Sequence, residues 1–198
     1  MWRHLAVIAF TMIGAGVAGC ASEDPTAGES GTRGLSFSSA LTEARAGGAD
    51  QTQLAILAKG EVGFADYEAA MSRALQCMRD AGISVLNPVA EDNSGIVFLN
   101  YSWSPDVPGL TEDQGTALGD DCLTRYSYWV ELEWQVQPSS VEAQESFFDG
   151  YRTAIVNCIR GNGGTVRNDA TRDEAVSVAI TVRDKTGVNC FQEAGISW

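Results

Sequence analysis

Histidine is almost missing from this chain: His4 is the only one in 198 residues. A single histidine near the start leaves no base for a Ser-His-Asp or Cys-His nucleophile. It also leaves no imidazole set for zinc or iron. Basic residues are scarce as well, with 13 Lys and Arg against 26 Asp and Glu and a net charge of −13. A surface of that sign repels nucleic acid and anionic lipid headgroups, so neither is expected as a partner. Membrane-length apolar runs are lacking too. Leu5 to Ala18 (LAVIAFTMIGAGVA) carries no charge, but as a helix it would reach only about 21 Å across a hydrocarbon core of roughly 30 Å.

What that stretch does resemble is an export signal: a mildly positive start with Arg3, a short apolar run, and small residues at its end. Val17-Ala18-Gly19-Cys20 resembles the bacterial lipobox, an aliphatic residue and two small ones before an obligatory cysteine. That resemblance implies cleavage before Cys20, with diacylglycerol and a further acyl chain such as palmitate on the new N-terminus. Residues 1–19 are then a signal peptide that takes His4 and Arg3 with it, leaving 179 residues and a net charge of −14. Ala21 to Gly34 (ASEDPTAGESGTRG) has no large apolar residue and cannot offset its own ordering entropy, so residues 20–35 are expected to be a tether. The membrane is thus expected as a partner through the lipid anchor on Cys20, on its outer face.

Four cysteines remain, Cys77, Cys122, Cys158 and Cys190, and an even set outside the cytoplasm reads as two disulfides. Spacing leaves three pairings open. An internal match chooses among them: CMRDAGISV (77–85) aligns with CIRGNGGTV (158–166), Tyr67 with Phe148, and Ala74-Leu75 with Ile155-Val156. Each copy has one further cysteine downstream, so duplication assigns each unit its own bridge, Cys77–Cys122 and Cys158–Cys190. The expected units are 36–137 and 138–198 within one compact domain.

Helix signals dominate both. Gly63 as N-cap, Asp66 in the first turn and a Val62/Tyr67 staple start one helix, with Phe64, Tyr67, Met71, Ala74, Leu75 and Met78 on its apolar face. Ser139 with Glu142 predicts the start of a second, striped by Phe147, Phe148, Tyr151, Ile155 and Ile159. Thr171 with Glu174 and Thr111 with Gln114 predict two more. Ile83 to Val89 and Ile96 to Trp103 flank AEDNSG and read as a β-hairpin. Cys122 to Gln137 reads two ways: Val130, Leu132, Trp134 and Val136 alternate as in a strand, while Tyr126, Trp129, Val130, Glu133 and Trp134 fit a helix, and helix is expected because no turn residue intervenes from Asp120 onward. The expected fold is α+β, mostly helical, with two related disulfide-closed units and a small hairpin in the first.

ILAKGEVGFADYEAAMSRALQCMRDAGISV, followed by Cys122, Tyr126 and Val130-Glu131…Trp134-Gln135, resembles a class of exported lipoproteins of high-GC Gram-positive (actinobacterial) bacteria. Their shared pattern is a helix with an aromatic-x-acid-Tyr start, ending in Cys-x-Arg-x-x-Gly. The likeness spans about residues 50 to 137. It implies an extracytoplasmic location and bridged cysteines and supplies no activity.

Two residue classes could still carry chemistry. Asp120, Asp121, Glu131 and Glu133 could pair as acid and base in a carbohydrate-active, cell-wall hydrolase, although in so acidic a chain neighbouring acids also read as a solvated face. Tyr101, Trp103, Tyr126, Tyr128, Trp129, Trp134 and Trp198 could stack on a ligand or fill a core, and core is the expectation. KGEVGFADY imitates the exit of a calcium loop, but with Gly60 at loop position six and Asp66 at twelve the earlier ligand positions fall on Ala55, Leu57 and Lys59, which cannot coordinate. Asn162-Gly163-Gly164 reads as a helix end, not a phosphate loop. The leading expectation is a non-enzymatic envelope binding or interaction module with an unidentified envelope partner and no metal or cofactor.

Overall fold

Helix starts are the strongest local signals in the chain, and most of them form as read. The computed structural model describes residues 37–196. The expected signal peptide and tether, Cys20 with them, and Trp198 at the other end lie outside the described residues. Among those described, the order is α1 (Phe37–Ala46), α2 (Gln51–Leu57), α3 (Phe64–Asp80), β1 (Ser84–Val85), β2 (Val89–Asn93), β3 (Ile96–Asn100), β4 (Trp103–Ser104), α4 (Glu112–Tyr126), α5 (Tyr128–Val136), α6 (Pro138–Gly161), α7 (Arg172–Thr186) and α8 (Cys190–Glu193). The fold is mostly helical α+β.

Thr111 and Thr171 both close capping boxes. Each hydroxyl accepts from the backbone N–H three residues on, at 3.3 Å, and each Gln114 or Glu174 side chain accepts the threonine's own N–H at 2.9 Å. Gly63 caps α3, and the staple partners Val62 and Tyr67 are both buried. The Ser139 box does not form. Pro138 takes the first helical position, where its missing N–H costs nothing and its φ is already helical, so α6 begins two residues earlier, with Gln137 as N-cap.

The helix expected over Cys122 to Gln137 is broken at Ser127, where φ is −140°. The reason is a residue far away in sequence. The buried amide of Gln53 enters the break, donating to the carbonyls of Thr124 (3.1 Å) and Arg125 (3.0 Å) at the end of α4. Its oxygen accepts from the N–H groups of Trp129 (2.7 Å) and Val130 (3.3 Å) at the start of α5. These are helix-end groups without intrahelical partners.

The hairpin is longer and its turn tighter than expected. Ser94 and Gly95 alone make the turn, with φ of 59° and 93°, the two-residue geometry that matches strand twist. Ala90 to Asn93 therefore belong to β2. Val89 faces Asn100 and Val85 faces Trp103, so residues 86–88 oppose only residues 101–102. The extra residue is a bulge, and Pro88, which has no N–H to give a ladder, sits in it.

Both expected bridges are present, Cys77–Cys122 with 5.7 Å and Cys158–Cys190 with 5.5 Å between Cα atoms. The units also share a helix ending. After Cys77, the N–H of Ile83 bonds the carbonyl of Met78 and that of Gly82 bonds Arg79; after Cys158, Gly164 bonds Ile159 and Gly163 bonds Arg160. This double bond needs a left-handed residue, supplied by Gly82 (φ 84°) and Gly163 (φ 82°). The second cysteines are placed differently: Cys122 lies inside α4, whereas Cys190 opens α8. Each unit has its own core. Phe148, Ile155, Ile159, Val182 and Phe191 centre one; Leu57, Tyr67, Met71 and Val130, with Leu75 and Met78 beside them, form the other.

The far end of the hairpin lies on the backbone of α4, which the small residues Gly115 and Gly119 permit. A Cβ at Gly115 would sit 1.9 Å from the Pro105 carbonyl oxygen, and one at Gly119 would sit 2.6 Å from the Trp103 ring. Alanine is the better helix former by about 1 kcal/mol. Gly115→Ala should nonetheless lower the unfolding free energy by about 2 kcal/mol or more, because backbone cannot yield as a side chain does. Gly150→Ala in α6, which meets nothing within 4 Å, should raise it by roughly 0.5–1 kcal/mol. Urea unfolding of both variants reads the difference. Equal effects would mean that the hairpin is not seated on α4 as described.

Candidate functional site

The polar and aromatic chemistry of the chain converges on α5. Tyr67, fully buried on α3, accepts from the Leu99 N–H at 3.2 Å and stacks on Trp134 with centroids 5.9 Å apart and planes at 12°. Phe64 tilts against both rings. Trp134 gives its indole N–H to the Val97 carbonyl at 2.9 Å, so a hydrogen bond as well as packing ties α5 to β3. Half-buried Tyr101 packs between the clusters centred on Tyr67 and on Met78.

Two glutamates are drawn into this interior. Glu131 is half-buried, and loss of solvent pushes its carboxyl above the usual carboxylate range. Burial pushes the Tyr67 hydroxyl up to about 12, opposed by the Leu99 N–H and reinforced by the Glu131 charge. Tyr101 is raised further by burial, then by Glu131 and Tyr67. Both phenols therefore stay neutral near neutral pH. Glu133 is 1% exposed, and its Oε1 is buried without a hydrogen-bond partner; burial and then the charge of Glu43 raise its carboxyl.

The four acids singled out from the sequence are not brought together as a catalytic pair. Asp120 and Asp121 are exposed on α4, as a solvated face predicts. Glu131 and Glu133 depart from that expectation and lie inward. Two residues apart on a helix is roughly 200° of rotation, so they look toward different neighbours: Tyr67 and Tyr101 for one, α1 for the other.

The aromatics are mostly structural. Trp103 lies on Gly119, Trp129 on Gly47, where a Cβ would come within 2.9 Å of the ring, and Tyr126 under the Arg73 guanidinium at 4.9 Å. Tyr128 is the exception at 47% exposed, meeting Trp129 edge-on. Asp66, the acid of the calcium-like stretch, is held by Lys59 Nζ at 2.7 Å. The Asn162-Gly163-Gly164 stretch ends α6.

Sequence reasoning missed the polar residues that matter most inside: Gln53, Gln137 and the Asp50–Arg73 pair. Gln137 bonds both backbone groups of Val62, at 3.0 and 2.8 Å. The available signal was position, since Gln53 precedes Ile56 and Leu57 by three and four residues on one apolar stripe.

Two shallow grooves mark the surface. One, of about 240 Å³, is lined by Val176, Ala179, Ile180 and Phe191 with Arg183 and Asn189 at its edge. The other, of about 340 Å³, runs along Leu110, Gln114, Ala117, Leu118 and Asp121. Neither pairs two carboxylates. Among the described residues no three Cys, His, Asp or Glu side chains gather as a metal site, and no helix is long and apolar enough to cross a membrane. Comparison with protein-family models, curated proteins and solved structures finds no match to the chain.

The carboxylates give opposite pH signatures. Asp50 is pulled below its ordinary value: burial opposes this, but the Arg73 hydrogen bond and charge and the Gln53 and Thr52 N–H groups outweigh it. Its contribution is therefore present above the unfolded value of 3.8 and lost as pH falls through the lowered one. Glu131 is raised, so its cost is absent below 4.5 and complete only above the raised value. Glu131→Gln should stabilise the protein at pH 7.5 by on the order of 1 kcal/mol, with the gain gone by pH 4. Asp50→Asn, which retains a helix cap, should cost up to ~1 kcal/mol at pH 7.5, a cost that shrinks as pH falls below 3.8. Denaturation across pH checks both signs.

Proposed function

We propose that this is an exported, lipid-anchored protein of the outer face of the cell membrane, processed before Cys20 and acylated there. On this reading its disulfide-locked body binds a component of the cell envelope and does not turn over a substrate. The observation that carries the reading is the cysteine distribution. Four of the five pair within the body, as suits an oxidising compartment, and the fifth ends a lipobox-like segment. A diacylglyceryl cysteine with a further acyl chain anchors firmly, each buried methylene contributing about 0.8 kcal/mol. The absence of histidine beyond position 4, the separate faces of Glu131 and Glu133, and grooves without paired carboxylates favour binding over hydrolysis.

Cys20→Ser tests the anchor. The unaltered chain should take up labelled palmitate and fractionate with the membrane; the variant should take up none and remain unprocessed or be shed into the medium. A variant that is still processed and fully membrane-bound overturns the reading. Pull-down with the lipidated protein from envelope extract then tests the binding role, with recovery of a saturable envelope component expected.

A further inference from the structure

Glu133 poses a problem that the rest of the fold does not answer. It is 1% exposed, one of its oxygens has no hydrogen-bond partner, and the nearby charge it senses is another carboxylate, Glu43. A buried unpaired charge beside a like charge is costly. Nothing on the neighbouring elements relieves it. Of the helices packed against α5, α1 carries Glu43 and Arg45, both exposed, and of the two only Glu43 acts on the Glu133 carboxyl; α2 has no charged residue in Gln51–Leu57. Arg73 of α3 pairs with Asp50 through Nη2 and lies over the Tyr126 ring, its Nη1 buried without a partner, and Arg125 of α4 also lies over Tyr126. Arg152 of α6 pairs with Asp149, and no ion pair among the described residues includes Glu133. Tyr67 and Tyr101, the buried phenols, feel Glu131.

This cost falls at the seam between α1 and α5. The fully buried residues of α1 are two alanines, Ala40 and Ala44, and Trp129 lies against the backbone at Gly47 just beyond it, with its indole N–H buried and unpartnered. The larger apolar residues of α1, Phe37 and Leu41, pack against the core only part-buried, so an uncompensated charge beneath the helix works against its seating.

We infer that Glu133 is a proton-operated latch on α1, which seats the helix firmly when the carboxyl carries a proton from solvent and lets it loosen when that proton is lost. Protonation makes the buried group neutral and removes the repulsion with Glu43; deprotonation restores both costs. The upward displacement of the Glu133 carboxyl agrees in sign. As α1 is the first described element of the body, loosening it would lengthen the segment between body and N-terminus. This inference goes beyond the proposed function and does not depend on Cys20 being acylated.

Hydrogen exchange of the full chain at pH 5 and pH 8, corrected for intrinsic exchange rates, tests it. Protection of residues 37–46 should fall at least tenfold at pH 8 while residues 64–80 of α3 hold theirs. Glu133→Gln should keep α1 protected at both pH values, and Glu131→Gln should leave the pH step in place. Equal α1 protection at both pH values in the unaltered chain overturns the inference, as does a step that persists in Glu133→Gln. If Glu133→Gln does not fold, Glu43→Gln at an exposed position must shrink the step, and an undiminished step is equally contradictory.

Discussion

The first unit depends on one buried amide. Gln53 stands where α4 ends and α5 begins, and its side chain bonds four backbone groups at the break at Ser127, of which the Arg125 carbonyl alone also has the Asp50 N–H as a donor. A buried peptide group without a partner costs about 1–3 kcal/mol. The break is affordable only because a residue some seventy positions away completes it. The Asp50 N–H also bonds Arg125 O, at 2.9 Å, and the Asp50 side chain caps α2 through the Gln53 N–H. The start of α2 and the end of α4 are therefore set together.

The direction of α5 follows from that splice. It presents Trp134 to Tyr67 and β3, Glu131 to the two phenols, and Glu133 to α1. A second buried amide repeats the solution at the next break, where Gln137 bonds both backbone groups of Val62 and so joins the start of α6 to the entry of α3. The hairpin turn adds a contact between the units, since a Cβ on Gly95 would meet the Ala143 carbonyl at 2.6 Å. The disulfides act within units, each tying the helix that ends in the double-bonded glycine turn to a later segment.

Much of this architecture was legible in the sequence because its signals are local. Capping boxes, the apolar stripes of α3 and α6 and the glycine-ended helices rest on residues within a turn or two of one another, and the pairing was read from the match of residues 77–85 with 158–166. What could not be read depends on distant partners. No pattern in residues 120–137 announces a break at Ser127, because the group that stabilises it is Gln53. Composition assigned Glu131 and Glu133 to a solvated face, because α1 and the Tyr67–Tyr101 cluster that cover them come from elsewhere in the chain. Pro138 displaced the Ser139 cap by a rule as local as the one it overruled.

The Gln53 amide, not helix propensity, fixes the break and so the placement of α5. Replacing Gln53 with leucine keeps similar bulk and removes all four bonds. The account predicts a loss of at least about 3 kcal/mol in unfolding free energy, with faster hydrogen exchange at the Trp129 and Val130 amides than at the interior of α3. A variant within about 1 kcal/mol of the parent, the size of one ordinary hydrogen bond, with those two amides still protected, would contradict it.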